Sequence, residues 1–404
     1  MNANLLKERL KQNSLIYMIN AKIKSVLLKN HLRLLRIYYS RKANIHSYVY
    51  DETQVINSFK EKHLKLKKDF IPKKQGDLKI FWVGALESQD KSGFLQALNR
   101  IGSVSVFYNH DGKYGPLYEV PGLTWLEVRQ RNDDALLQQI TKISANEGID
   151  FLIGQMWSHI FSPNVLLEIQ SLGIPIINIA MDDRLPNLWS SRNSYRMGSV
   201  GLGSGVNLTL TTVPETCKWY AVEGMLALFW PLASDNKLFA ADANLFRDID
   251  ILFIGNRYGI RSKLIEYLKK KGISVTCFGN GWENGYVDAK TNISLSKRAK
   301  IILGVGTVGH CSDVYTLKLR DFDALMTGAL YLTHRNPDLL HLFKEGEHLE
   351  CYESKKELYT KLDFYINNLN KANEIGTRGA EVAKSKHSWD YRLSSTFRLL
   401  GFIS

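Results

Sequence analysis

From Asp77 onward the chain alternates between short apolar runs and longer stretches whose apolar positions recur at helical spacing. Leu78–Val83, Val104–Tyr108, Phe151–Met156, Pro175–Ala180 and Val206–Thr211 are brief, apolar and β-prone, and are read as strands. Between them Gly93–Ile101, Ala135–Asn146 and Pro163–Leu172 are read as helices. The segment PLASDNKLFAADANLFRDID then breaks the rhythm, and a second series follows. Its strands are Ile249–Ile254, Ser274–Phe278, Ile301–Val305 and Ala329–Thr333, and its helices Ile260–Lys271, Lys318–Thr327 and Lys355–Leu369, with a helical tail over Ala380–Leu400. Strands that alternate with helices of this length form parallel βαβ units. The expected fold is therefore α/β, with two Rossmann-like parallel-sheet domains facing each other across a cleft and a helical basic extension in front. The divisions expected are 1–76 for the extension and linker, 77–235 and 236–385 for the two domains, and 386–404 for a last helix.

The extension has its own pattern. Ile16, Ile19, Ile23, Val26, Leu27, Leu34 and Leu35 lie largely on helical spacing, with Lys22, Lys24, Lys29, Arg33 and Arg36 between them. Two readings of this basic amphipathic segment stand: a helix on an anionic membrane surface through residues 1–45, or a helix packed on the body with its basic face in water. Charge separates it from the rest. Residues 1–76 hold 17 Lys/Arg against 5 Asp/Glu, whereas the whole chain of 404 residues holds 53 against 40, so the body is nearly neutral. A nucleic-acid partner is accordingly not expected. No run reaches the roughly 20 apolar residues of a spanning helix. The opening MNANLLKERLKQN puts charges where a signal peptide needs its apolar stretch. The four cysteines show no C-x-x-C pair, so neither a zinc site nor a disulfide framework is expected. A cytoplasmic location, or a peripheral one on the inner membrane face, follows.

Ligands of open parallel sheets gather beyond the carboxyl ends of the strands, which limits the candidates to a few loops. Lys318 and Arg320 open a helix, placing two cations beside free N–H groups in a way that suits a diphosphate. Asp323, one turn on, could accept ribose hydroxyls. The turn Gly255–Arg261 adds Arg257 and Arg261, and GNGWENG adds Gly279, Gly281 and a stacking face on Trp282. In the first half Asp182 and Asp183 follow a strand and are expected to project into the cleft, Asp183 as a general base, with His159 the competing candidate. Each also has a plain structural reading, as a local ion pair or a capped loop residue. The G-x-G-x-x-G spacing in GVGTVGH lacks the later acidic residue of a dinucleotide site, so NAD is not expected.

Residues 318–343, the following helix and HSWDYR resemble the carboxy-terminal domain of the CgeB-type (spore-maturation-like) glycosyltransferases, which have the GT-B fold. DIDILFIGNRYGIRSKLIEYLKKKGISVTCFGNGW is similar to the opening of that domain, FWPLASDNKLF to its interdomain phrase and AMDDRLPNLW to a motif of the first domain. The resemblance implies nucleotide-sugar binding by the second domain, acceptor binding by the first, and a final helix crossing back. It puts Asp323 where such enzymes carry a ribose-holding Glu. The Glu that related enzymes carry eight residues upstream is Tyr315 here, so the stereochemical outcome is not implied. The expected activity is metal-independent transfer of a sugar, of hexosyltransferase type, from a nucleotide-diphosphate donor to a saccharide or lipid-linked acceptor, with no cofactor. A nucleotide-sugar epimerase of the same fold and a non-catalytic saccharide- or nucleic-acid-binding protein remain the alternatives.

Overall fold

The computed structural model describes residues 14–242 and 245–404. The opening MNANLLKERLKQN, the pair Ala243–Asn244 and the side chain of Ile16 lie outside the described residues.

Two parallel sheets carry the body. The first contains β1 (Leu78–Val83), β2 (Gly102–Val106), β3 (Phe151–Gly154), β4 (Ile176–Ala180), β7 (Leu208–Thr211) and β8 (Ala227–Phe229), in the order β2-β1-β3-β4-β7-β8. A two-stranded ribbon of β5 (Ser191–Arg192) and β6 (Tyr195–Arg196) stands apart from it. The second contains β9 (Ile249–Ile254), β10 (Thr276–Phe278), β11 (Ala299–Leu303), β12 (Leu330–His334) and β13 (Glu350–Tyr352), in the order β10-β9-β11-β12-β13. The central strands β3 and β4 are buried along their whole length, whereas β1 and β9 each expose one charged residue near the start, Lys79 and Asp250. Ile80 pairs with Val104 and Phe151, and Leu252 pairs with Thr276 and Ile302.

In both sheets, whose strands all run parallel, the strand order reverses beside the first strand, between β1 and β3 and between β9 and β11. Such switch points leave a crevice outside the carboxyl ends of the strands. The loops after β1, β3, β9 and β11 are thereby selected by topology alone.

Several expected elements are displaced or divided. The second strand begins at Gly102, where the backbone lies so close to Leu78 that a Cβ would meet Leu78 O at 2.2 Å. The helix expected from Ala135 begins at Trp125, behind a capping box between Thr124 and Glu127. The tail forms Lys355–Asn367, Leu369–Lys386 and Trp389–Leu399. The last of these packs on the first lobe: Trp389 meets Phe94 edge to face at 4.9 Å, and Arg100 pairs with Asp390 at 2.6 Å. The chain crosses between lobes twice at one place, where the Ser234 amide donates to His387 O (3.1 Å) and the Trp389 amide to Ser234 O (2.8 Å). One apolar core runs unbroken from Leu78 through Trp230 and Phe239 to Phe322 and Trp389.

The extension is helical over Ser14–Ile45 and Glu52–Leu66. Ala21, Leu32, Tyr39 and Ala43 are its buried face on the first helix, and Tyr39 stacks on Trp219 at 4.9 Å. The reading in which this helix packs on the body therefore holds for one face. Among the described residues no helix is long and apolar enough to cross a membrane.

Candidate active site

The carboxyl end of β9 meets the start of the helix Leu319–Met326 at Gly255. Its φ of 154° belongs to glycine, and a Cβ there would stand 2.3 Å from Arg320 Nη2 and 3.3 Å from Arg261 Nη1. Two guanidiniums therefore converge on one bare stretch of backbone. Arg261 donates to Asn256 O at 2.7 Å and lies over the rings of Tyr258 and Phe253; Arg320 lies over Phe253 at 5.0 Å. Among the described residues neither forms an ion pair with a carboxylate. Burial, and then the charge of Arg320, lowers the Arg261 pKa to about 10. A like-charged pair with no carboxylate at ion-pair distance, though Asp321 and Asp323 feel the charge of Arg320, is a site that can take an anion.

Arg320 and Asp323 both line a cavity of about 230 Å³ between the lobes, walled on the first-lobe side by Ser88, Gln89 and Ser92. Asp323 is buried. Its Oδ1 accepts from Ser234 Oγ at 2.7 Å, and burial raises its pKa well above the ordinary carboxyl value. One oxygen is thus committed to the interlobe connector and one remains for a ligand hydroxyl.

A second cavity, about 110 Å³, adjoins the first through Gln89 and Leu319. Its lining includes Asp90, Gln155, Asp182, Lys318, Trp230 and Trp389. Asp90 follows β1 and Gln155 follows β3, so together they mark the switch point of the first sheet. The Asp90 carboxyl is 1% exposed. Tyr114 OH donates to its Oδ2 (2.7 Å), Trp82 Nε1 donates to Tyr114 OH (2.8 Å), and Gln155 Nε2 stands 3.5 Å from Oδ1. Burial raises the Asp90 pKa to about 6, against the lowering effect of these hydrogen bonds. A carboxyl held near neutrality in a cleft is equipped for general base work. Sequence reasoning missed it, because ESQDKS reads as an ordinary polar loop; the loop after the first strand was the only signal.

Other expected residues fall in different places. Asp183 does not project into the cleft. It is 2% exposed and turned under the sheet, where Thr211 Oγ1 (2.6 Å) and Tyr220 OH (2.9 Å) donate to it. Its neighbour Asp182, on the turn that follows β4, takes the cleft position and faces Lys318 Nζ at 3.5 Å. Lys318 thus lines the second cavity while Arg320 lines the first, and the two cations do not share one anion. Nor are all N–H groups free at this helix start, since the Lys318 amide donates to Asp321 Oδ2 at 2.7 Å. Arg257 is turned outward over the Trp282 ring (5.3 Å) towards Glu266 (3.5 Å) and lines neither cavity.

Trp282 is a brace, its indole N–H donating to Gly255 O at 2.8 Å. Gly279 lies against the same turn, where a Cβ would meet Gly255 O at 2.5 Å, and Gly281 lies against Arg257. His159 is half-buried beside Trp157 and lines neither cavity. GVGTVGH follows β11 as a loop, and the next helix begins only at Leu319. Between β11 and the helix, and at the end of β12 and just beyond it, the hydroxyls of Thr307 and Thr316, His334 Nδ1 and Asn336 Nδ2 are buried without a hydrogen-bond partner among the described residues. Among the described residues no group of three or more His, Cys, Asp or Glu side chains is arranged to hold a metal ion.

Asp183 thus has a structural part, and its removal tests that. Asp183→Ala is expected to cost about 2–4 kcal/mol, because two buried hydroxyls lose their acceptor. Asp183→Asn keeps an acceptor and is expected to stay within about 1 kcal/mol of the parent in urea unfolding, with unchanged kcat.

Residues 261–397 match the family described as glycosyl transferase-like. No curated protein matches the chain in sequence. Among solved structures, HepE of Anabaena in complex with UDP-glucose superposes with a TM-score of 0.55 at 11% identity, covering 80% of this chain and 100% of that one. Sucrose-phosphate synthase of Thermosynechococcus elongatus gives 0.55 at 11% identity over 80% and 98%. A glycosyltransferase of Rickettsia africae gives 0.50 at 11% identity over 80% and 98%. The chain is therefore of the GT-B fold, and its second lobe is similar to a glycosyl transferase-like domain from Arg261 to Phe397.

Proposed function

We propose that this protein transfers a sugar from a nucleotide-diphosphate donor to a hydroxyl of a saccharide or lipid-linked acceptor without a divalent metal. The observation that carries this reading is Arg320 on the wall of a cavity at a switch point, beside Gly255 and backed by the buried Arg261, with a second cavity adjoining that holds a buried carboxyl. The likeness to a UDP-glucose complex in fold supports the same class of donor.

In this reading Arg320 receives the diphosphate at the cavity wall, and the charge of Arg261 behind it adds to the attraction. As the sugar–oxygen bond breaks, negative charge grows on the leaving phosphate, and fixed cations in a partly dry site stabilise it without reorganising. The free oxygen of Asp323 takes a ribose hydroxyl. The acceptor occupies the second cavity, where Trp230 and Trp389 offer ring faces and Asp90 takes the proton of the attacking hydroxyl. Asp182 and Lys318 bridge the two lobes beside that path.

Thermal shift against UDP, GDP, CMP and dTDP sugars, with and without EDTA, tests the proposal. Ligand at about 100 times its Kd adds about 2.7 kcal/mol of stability, so one base class is expected to raise the melting temperature by several degrees, chelator or not. No shift with any of them would remove the donor site. Interconversion of the sugar in donor-only incubations would replace transfer by epimerisation.

A further inference from the structure

The helix Ser14–Ile45 turns one face inward, and its opposite face is apolar and uncovered. Ile19, Ile23, Val26, Leu27, Leu34 and Ile45 are 48–76% exposed. At 100° per residue they fall within an arc of about 100°. Ile19, Ile23, Val26, Leu27 and Leu34 of the apolar pattern in the sequence thus form an outer surface, whereas Leu35 packs against the core. Lys22 and Arg33 line one edge of the stripe and Lys24 the other, all exposed, while Arg41 stands within it near the carboxyl end. From Ile19 to Ile45 there is no acidic residue.

We infer that this face lies in the plane of an anionic lipid bilayer, apolar side chains among the acyl chains and cations at the headgroups. The partner follows from the chemistry. A protein surface would meet the stripe with its own apolar patch but gives no reason for cations along both edges and none of the opposite sign. An anionic interface uses both, and long basic stems carry their charge up to the headgroups.

The same helix also ties the lobes together. Lys29 pairs with Asp313 in the second lobe (2.7 Å), and Arg36 pairs with Glu215 in the first (2.7 Å). Glu215 in turn accepts from Arg184 (2.9 Å), whose guanidinium reaches Asp338 of the second lobe (2.5 Å). A bilayer bound on the outer face therefore holds both lobes at a fixed distance from the lipid. This inference rests on the helix surface and is independent of the transfer chemistry.

Sedimentation of the full chain with vesicles tests it. Binding is expected to phosphatidylcholine vesicles containing phosphatidylglycerol, not to phosphatidylcholine alone, and is expected to weaken in high salt. The exposed triple substitution Ile23→Asp, Leu27→Asp, Leu34→Asp is expected to reduce binding about tenfold or more, with an unchanged melting temperature and unchanged nucleotide-induced shift. Should that variant fold poorly, Lys22→Glu with Lys24→Glu is expected to reduce binding by on the order of tenfold. Equal binding to both vesicle types, no binding to either, or vesicle binding retained by the variants would overturn the proposal. So would a dimer, seen by light scattering, that dissociates in the triple variant while lipid is not bound.

Discussion

Arg320→Gln is expected to weaken donor binding by about 30- to 100-fold while leaving the melting temperature unchanged or slightly higher. The two halves of this expectation have one cause. Arg320 stands beside Arg261 with no carboxylate at ion-pair distance among the described residues, and its charge adds to burial in lowering the Arg261 pKa to about 10. Removing one guanidinium relieves that repulsion. The loss on the other side is the stacking of Arg320 over Phe253, worth about 0.5–1 kcal/mol at a half-exposed site, so the two effects nearly cancel. Against a diphosphate the balance is one-sided, since a charge-assisted contact contributes about 2–3 kcal/mol. Arg320→Lys keeps the charge without the planar fork and is expected to fall between the two. Arg257→Gln is the control: its guanidinium lies outside the cavity on Trp282, and donor affinity is expected to change less than about threefold. Titration calorimetry with the nucleotide diphosphate and a melting curve for each variant decide the matter. A stability loss with unchanged affinity would make Arg320 a structural residue and remove the main support for the proposed donor site.

How much of this was legible in the chain depended on how strongly each segment was constrained. Ile249–Ile254 was readable because Ile251–Ile254, in a strand paired on both sides, is an unbroken apolar run, with only Asp250 near its start exposed. The three-residue edge strands Ala227–Phe229 and Glu350–Tyr352 were not, since three residues carry no periodicity; the equally short Thr276–Phe278 was readable only through the alternation of helix and strand around it. Arg320 and Asp323 stood out because a helix beginning after a strand loop restricts where its first-turn side chains go. At Asp182–Asp183 the types were visible but the side was not. Both acids lie on the turn after β4, where no periodicity sets the side, and the hydroxyls of Thr211 and Tyr220, far away in sequence, hold Asp183 inside. Asp90 had no local mark at all. Its character comes from burial and from Tyr114 and Gln155, which tertiary structure brings to it.

That makes Asp90 the residue where a pH profile says most. Burial raises its folded-state pKa to about 6, so the ionised, proton-accepting form grows as pH rises through that value. The rate kcat/KM is expected to climb nearly tenfold per pH unit below about 6 and to level off above it. Asp90→Asn keeps the acceptor for Tyr114 but cannot take a proton, and is expected to lower kcat by about 10²- to 10⁴-fold and to abolish the acid limb. Stability moves the other way. In the unfolded chain the carboxyl loses its proton near its ordinary value of 3.8, in the folded protein only near 6. Between these values the unfolded state binds fewer protons, and stability falls as pH rises. The Asn variant loses that slope and at pH 7 is expected to be at least as stable as the parent. Asp183, whose pKa is also raised to about 6 by burial, separates the two effects. Asp183→Asn should remove its own share of the stability slope and leave the acid limb of the rate intact. An acid limb that survives in Asp90→Asn, or a kcat equal to that of the parent, would assign the proton transfer to another group at the cleft, with Asp182 the nearest carboxylate in the same cavity.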